Sequence, residues 1–167
     1  MNQKNDIGHI YTKEGIKIIL SRFKNNNVFI TAFLTVCYTG MRTDEVFALT
    51  WNDIDFEKRV INIEHNVYSK IKDEKEKWFL GTTKTINGVR KVYICDTLLI
   101  ALKNYKKKQD YFRKLYGNKY YYYHPEEVKN KYGKIIEYRI VKTIKKSKFL
   151  EKFNLVFRIE NCRFYDL

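Results

Sequence analysis

Proline occurs once in this chain of 167 residues, and no segment is rich in proline or serine. No linker is therefore written into the sequence, and no domain boundary is drawn. Cysteine is scarce and odd in number: Cys37, Cys95 and Cys162 are widely separated, with no C-x-x-C pair. That excludes a disulfide scaffold and suits a reducing, cytoplasmic setting. Cys37 lies in an apolar helical stretch, where a thiol is expected to be buried. The three histidines, His9, His65 and His124, are isolated, without H-x-x-x-H or H-E-x-x-H spacing, so neither a metal nor a cofactor is expected. No apolar run reaches the roughly 18 residues of a membrane-crossing helix, and no basic amphipathic helix is present, so no membrane partner is expected. Residues 1–6 are polar and carry no signal-peptide core.

Acidic residues are also in deficit, 19 against 33 lysines and arginines, for a formal charge of +14. Such an excess points to a polyanionic partner, most often nucleic acid, without choosing between DNA and RNA. The hydrophobic fraction of 44% supports a core, and a chain of this length suffices for one domain. Thr12 is placed to cap a first helix whose Ile16, Ile19, Leu20 and Phe23 share a face, and Asn25, Asn26 and Asn27 break it. A second helix repeats that spacing with Ile30, Phe33, Leu34 and Cys37, and is apolar enough on its other sides to belong in the interior. Ile61, Ile63, His65 and Val67 alternate as one strand, and residues 70–77 read as a solvated connection. Residues 78–80 and 89–94 read as two further strands, joined by an Asn87-Gly88 hairpin turn. Asp96 is placed to cap a long helix with the apolar face Leu98, Leu102, Tyr105, Phe112 and Leu115, ended by Gly117. Residues 135–141 read as a strand; the rest of 118–152, basic and tyrosine-rich, is ambiguous.

The most particular segment is residues 39–55, TGMRTDEVFALTWNDID. Gly40 suits a helix C-terminus, because glycine takes the left-handed conformation without a Cβ penalty. Arg42 is thereby held at a helix-to-helix junction, with Glu45 three residues on. A lone G-x-R would be an ordinary turn, but this spacing is longer. It resembles the first arginine motif of the tyrosine recombinases, the phage-integrase family: T-G-hydrophobic-R-x-x-E, then L-x-W-x-D-I-D. Thr39, Gly40, Met41, Arg42, Glu45, Leu49, Trp51, Asp53, Ile54 and Asp55 all match.

A second point of similarity is GTTKTINGVRKVYI, residues 81–94, where Lys84, Thr85 and Arg90 stand at the positions of the family's hairpin lysine, the threonine after it and a following arginine. The resemblance implies an α+β fold, mainly helical with a small three-stranded antiparallel sheet, acting on double-stranded DNA without metal. In that chemistry a tyrosine attacks a scissile phosphate and leaves a 3′-phosphotyrosine bond. Arginine forks hold the non-bridging oxygens, for which their planar, always-charged geometry is suited. The resemblance gives Arg42 and Lys84 catalytic roles, Lys84 as proton donor to the leaving 5′-oxygen. It gives Arg42, Thr43, Lys84, Thr85 and Arg90 to DNA binding, and Glu45 to positioning the arginine; from the residues alone, Glu45 is equally a helix-surface carboxylate. The end of the chain, CRFYDL, is similar to the approach to a second arginine motif, with Phe164, Asp166 and Leu167 fitting and Tyr165 at a histidine position. The expectation is a single partial catalytic domain over residues 1–167, truncated at its C-terminus, without an N-terminal core-binding domain, and inactive alone. The Tyr120–Tyr123 cluster is expected to serve packing rather than nucleophilic attack. Full-length relatives of this kind form tetramers on DNA; this chain alone is expected to be monomeric. The alternative is a non-catalytic basic nucleic-acid-binding protein.

Overall fold

The computed structural model describes residues 12–72, 75–82, 89–144 and 153–157. Thr12 caps helix α1 (Lys13–Arg22), its hydroxyl accepting from Gly15 N at 3.1 Å. Asn26 caps α2 (Asn27–Thr39) through Phe29 N at 3.0 Å. Gly40 closes α2 in the left-handed conformation, φ 65°, donating to Val36 O at 2.9 Å. The inward face of α2 differs from the one its apolar residues suggest. Thr31, Ala32 and Thr35 are buried, whereas Cys37 is exposed. The reason is local: Thr31, Thr35 and Thr39 each donate their hydroxyl to the carbonyl four residues back, at 2.7, 2.8 and 2.5 Å. A hydroxyl satisfied within its own helix is buried at little cost.

After α3 (Thr43–Ala48) and a 3-10 turn, Trp51–Asp53, come two antiparallel sheets. The first, ordered β1-β2-β5, contains β1 (Ile54–Asp55), β2 (Val60–Ile63) and β5 (Arg90–Tyr93). The second, ordered β3-β4-β7-β6, contains β3 (His65–Lys72), β4 (Lys75–Thr82), β6 (Tyr122–Lys129) and β7 (Ile135–Thr143). The single strand expected across residues 61–67 is thus broken at Glu64, and its halves join different sheets. Alternation could not reveal the break, because Ile61, Ile63 and Val67 are all buried on either side of it. The charged 70–77 connection is largely strand: β3 and β4 pair from His65↔Thr82 out to Lys72↔Lys75. Among the described residues β4 and β5 do not pair; β5 lies on β2 with Arg90 opposite Ile63. The Asn87-Gly88 turn expected between them falls outside the described residues.

Helix α4 (Asp96–Tyr116) has Cys95, not Asp96, at its N-cap; the Asp96 carboxylate instead accepts from Arg59 Nη1 at 2.5 Å. Its buried face is Leu98, Leu99, Leu102, Tyr105 and Gln109, and Leu115 lies outside it, 60% exposed. The α+β class is the one read from the sequence, but the three-stranded antiparallel sheet takes β1 in place of the expected 78–80 strand; that strand, as part of β4, joins β3 and the two strands of the ambiguous 118–152 stretch in the four-stranded sheet. Its β6 is an edge strand bearing Pro125, which donates nothing to a ladder and so suits an edge. Tyr120 is buried in packing.

One core joins these parts. Val46, Phe47, Trp51, Ile61, Ile63, Leu98, Leu102 and Tyr105 meet a short strap, residues 153–157, whose Leu155, Val156 and Phe157 are buried. The strap lies along the α3 exit: Trp51 N donates to Asn154 O at 2.9 Å and Val156 N to Leu49 O at 2.8 Å. Gln109 ties it to α4, its Nε2 donating to Leu155 O (3.3 Å) and Val156 O (3.2 Å) while its Oε1 accepts from Trp51 Nε1 at 2.6 Å. Among the described residues no helix is long and apolar enough to cross a membrane.

Candidate functional site

The junction between α2 and α3 is built around Arg42. Gly40 reverses the chain, and Met41, 2% exposed, anchors the following turn in the core, its N–H donating to Thr39 Oγ1 at 3.2 Å. Arg42 is the N-cap residue of α3 in extended conformation, φ −68° and ψ 151°, and its side chain is exposed. Its backbone N–H donates to Glu45 Oε2 at 2.9 Å, the backward half of a capping box. Thr43, exposed, is the first residue of α3.

Glu45 is 3% exposed. It is not the surface carboxylate that a helix pattern allows. Arg90, reaching across from β5, closes on it with both prongs: Nη1 to Oε1 at 2.9 Å and Nη2 to Oε2 at 2.7 Å. Oε2 therefore accepts from Arg90 and from the Arg42 amide together. Arg90's hydrogen bonds hold the Glu45 carboxyl below the usual carboxylate range; burial opposes them, and the Arg42 amide and charge add to them. A bidentate arginine–carboxylate pair of this kind is both stronger and more directional than a lysine contact.

The second carboxylate of the motif, Asp53, turns back to Thr50, accepting from its N–H at 2.7 Å and its hydroxyl at 2.8 Å. Burial pushes its pKa up, against the two Thr50 bonds. Asp55 organises the β1–β2 turn by accepting from Glu57 N and Lys58 N at 3.0 and 2.8 Å. Both therefore serve the backbone of the turns that follow α3.

Beside α3 lies a groove of about 760 Å³ between β3, β4 and β7, lined by Asp44, Asn66, Tyr68, Leu80, Gly81 and Tyr138 among others. Gly81 is required there by close approach, since a Cβ would come within 2.7 Å of Asn66 Oδ1 and 2.9 Å of the Tyr68 ring. A second groove, of about 800 Å³, is lined by Phe23, Tyr105, Phe112, Tyr116 and Tyr120 together with polar and basic residues such as Asn26 and Lys108, and shares no residue with the Arg42 junction.

Of the residues singled out in the sequence, Arg42, Thr43, Glu45 and Arg90 are thus placed, and Arg42, Glu45 and Arg90 are brought together by hydrogen bonds. Lys84, Thr85, Tyr165, and Cys162 with Phe164, Asp166 and Leu167, lie outside the described residues. Sequence reasoning assigned Arg90 to DNA and did not see its fork on Glu45. Those two residues are 45 positions apart, on a helix and a strand whose packing no local pattern reports. Gln109 was missed as well, being a polar residue on an apolar face with no motif around it.

The profile described as "Phage integrase family" matches residues 10–147. Over 104 residues the chain is 33% identical to a protein named tyrosine recombinase XerC-like from Caldanaerobacter subterraneus, covering 59% of this chain and 26% of that one. It is 32% identical over 98 residues to the ICEBs1 integrase of Bacillus subtilis, covering 58% and 26%. The chain thus spans about a quarter of the length of these relatives. Among solved structures, the integrase of transposon Tn1549 in complex with transposon right end DNA superposes with a TM-score of 0.51 at 25% identity, covering 63% of this chain and 34% of that one. The same integrase with a circular intermediate DNA gives 0.54 at 24% identity, covering 64% and 34%.

Proposed function

This chain belongs to the phage integrase family, and from that premise we propose that it is part of the catalytic domain of a tyrosine recombinase of a mobile element, with Arg42 as a ligand of the scissile DNA phosphate. The observation that carries this is the seating of Arg42. Its side chain is exposed while its backbone is fixed by Gly40 on one side and buried Glu45 on the other. A flexible surface lysine would lose more conformational entropy on meeting a phosphate than a planar fork projecting from a fixed backbone. Relatives named as integrases and DNA-bound structural neighbours support duplex DNA as the partner.

In this reading Arg42 places two parallel donors on the non-bridging oxygens, where charge grows as the phosphorus becomes five-coordinate. Lys84 gives a proton to the departing 5′-oxygen. Thr43 and Thr85 contact the DNA backbone beside them. The covalent intermediate would conserve the phosphodiester bond energy, so rejoining needs no nucleotide cofactor. Glu45 acts on the backbone of Arg42 and not on DNA. In this reading the described residues contribute DNA binding and phosphate placement.

Titration of a fluorescein-labelled duplex at several salt concentrations tests the reading. Arg42→Ala is expected to weaken binding and reduce the slope of log affinity against log salt by about one. Exposed Lys103 on α4 serves as the charge-matched control. If Arg42→Ala changes binding no more than Lys103→Ala, the chain is a generic basic nucleic-acid binder and the motif is coincidence. A nicked suicide substrate is expected to be bound without a covalent adduct; an adduct formed by this chain alone would overturn the assignment of binding without cleavage.

A further inference from the structure

Resting on that reading of Arg42, we infer that Arg90 is a positioning residue, whose fork on Glu45 keeps the Arg42 guanidinium available to the phosphate. Glu45 is a full negative charge, nine-tenths and more buried, whose Oε2 lies 2.9 Å from the amide of the arginine that must meet DNA. An uncompensated carboxylate there does two harmful things. It opposes an approaching phosphate through a medium of low dielectric, and it competes with that phosphate for the nearest guanidinium, that of Arg42 itself.

Arg90 removes both problems at once. Its two terminal nitrogens each donate to one carboxylate oxygen, at 2.9 and 2.7 Å, the pairing a guanidinium fork makes best. With Arg90 in place, the hydrogen bond between Glu45 and Arg42 is made by the Arg42 backbone N–H, and the Arg42 charge acts on the carboxylate less than the bonds from Arg90 do. Arg42 is exposed, as a phosphate ligand in waiting requires. Arg90 is itself well placed to be rigid: it sits on β5, paired with Ile63, which is 1% exposed. β5 also follows directly on the segment that carries Lys84, so the same bond ties the Arg42 junction to the strand leading out of that segment. This departs from a direct DNA contact by Arg90, which would have its fork turned toward the duplex.

The two roles predict opposite genetics, read by the duplex titration above. Under the positioning role, Arg90→Met weakens DNA binding to the level of Arg42→Ala and adds nothing when built on Arg42→Ala. Glu45→Gln, which removes the competing charge, restores most of the binding lost in Arg90→Met. Arg90→Lys, which keeps the charge and loses the fork, falls between Arg90→Met and the parent. Thermal melts of each variant separate these effects from unfolding, and rescue by Glu45→Gln is something a merely destabilised protein would not show. Additive losses in Arg42→Ala/Arg90→Met, or no rescue in Glu45→Gln/Arg90→Met, overturn the inference and make Arg90 a DNA contact or a purely structural residue. If Arg42→Ala alone is without effect, the phosphate-ligand reading of Arg42 is what has failed, and the inference built on it goes with it.

Discussion

Replacing Gln109 with methionine keeps the side-chain volume and removes all its hydrogen bonds, which isolates what the polar hub between α4 and the 153–157 strap contributes. Gln109 is 8% exposed. Its loss leaves Trp51 Nε1 without the acceptor it holds at 2.6 Å, and takes the shared donor from Leu155 O and Val156 O. A buried donor stripped of its partner costs about 1–3 kcal/mol. The two carbonyls share one amide at longer distances, so together they add about 1 kcal/mol. Burial of the thioether in place of the amide returns roughly 1 kcal/mol. The net expectation is a loss of about 1–3 kcal/mol, equivalent to about 2–12 °C in melting temperature for a domain of this size. Urea unfolding followed by tryptophan emission measures the free energy, and hydrogen exchange at residues 153–157 shows whether the strap is what loosens. Trp51→Phe provides the cycle: in that background Gln109→Met should cost less by about 1 kcal/mol, because the indole bond is already gone. A loss under about 0.5 kcal/mol, or strict additivity of the two changes, would refute the claim that Gln109 holds the strap by hydrogen bonding.

Gly40→Ala should destabilise by about 1–2 kcal/mol, all of it conformational, since φ is 65° and a Cβ there meets no atom within 4 Å; Gly40→Asn should recover part of the loss in the same urea experiment, and equal losses for the two would argue against a left-handed origin. Glu45 also makes stability depend on pH with a definite sign. Its folded pKa is lowered, so its contribution is complete above the ordinary carboxylate range and is lost as pH falls through the lower folded value. Glu45→Gln should therefore flatten the acid limb of a stability–pH curve, and an unchanged limb would assign the acid sensitivity to other groups.

Local patterns carried much of this architecture. The Thr12 cap, the left-handed Gly40 and the Gly117 stop all follow from single residues whose preferences are strong, and the Arg42 motif from its spacing. What was not legible had more than one physical cause. Thr31 and Thr35 face the core because their hydroxyls are satisfied one turn back, which a hydropathy reading counts as polar and turns outward. Glu64 breaks a strand without changing its alternation, and β3 and β4 pair as far as Lys72 and Lys75 within a stretch that a sequence reading takes for a solvated connection. Arg90 reads as a DNA contact until its fork is found on Glu45, 45 positions away.

The strap also has a consequence for the order of events during synthesis. Phe47, on the helix that carries Glu45, packs against Phe157 with ring centroids 5.9 Å apart, and Thr50 bridges to Leu155. At a ribosomal rate of roughly 5–20 residues per second, Leu155 is made several seconds after Thr50. During that interval the floor beneath the arginine junction is open on one side, with Phe47 and Trp51 waiting for late-arriving neighbours. A nascent chain halted before residue 153 should therefore be a better client for a chaperone that binds exposed aromatic segments than one released after residue 157.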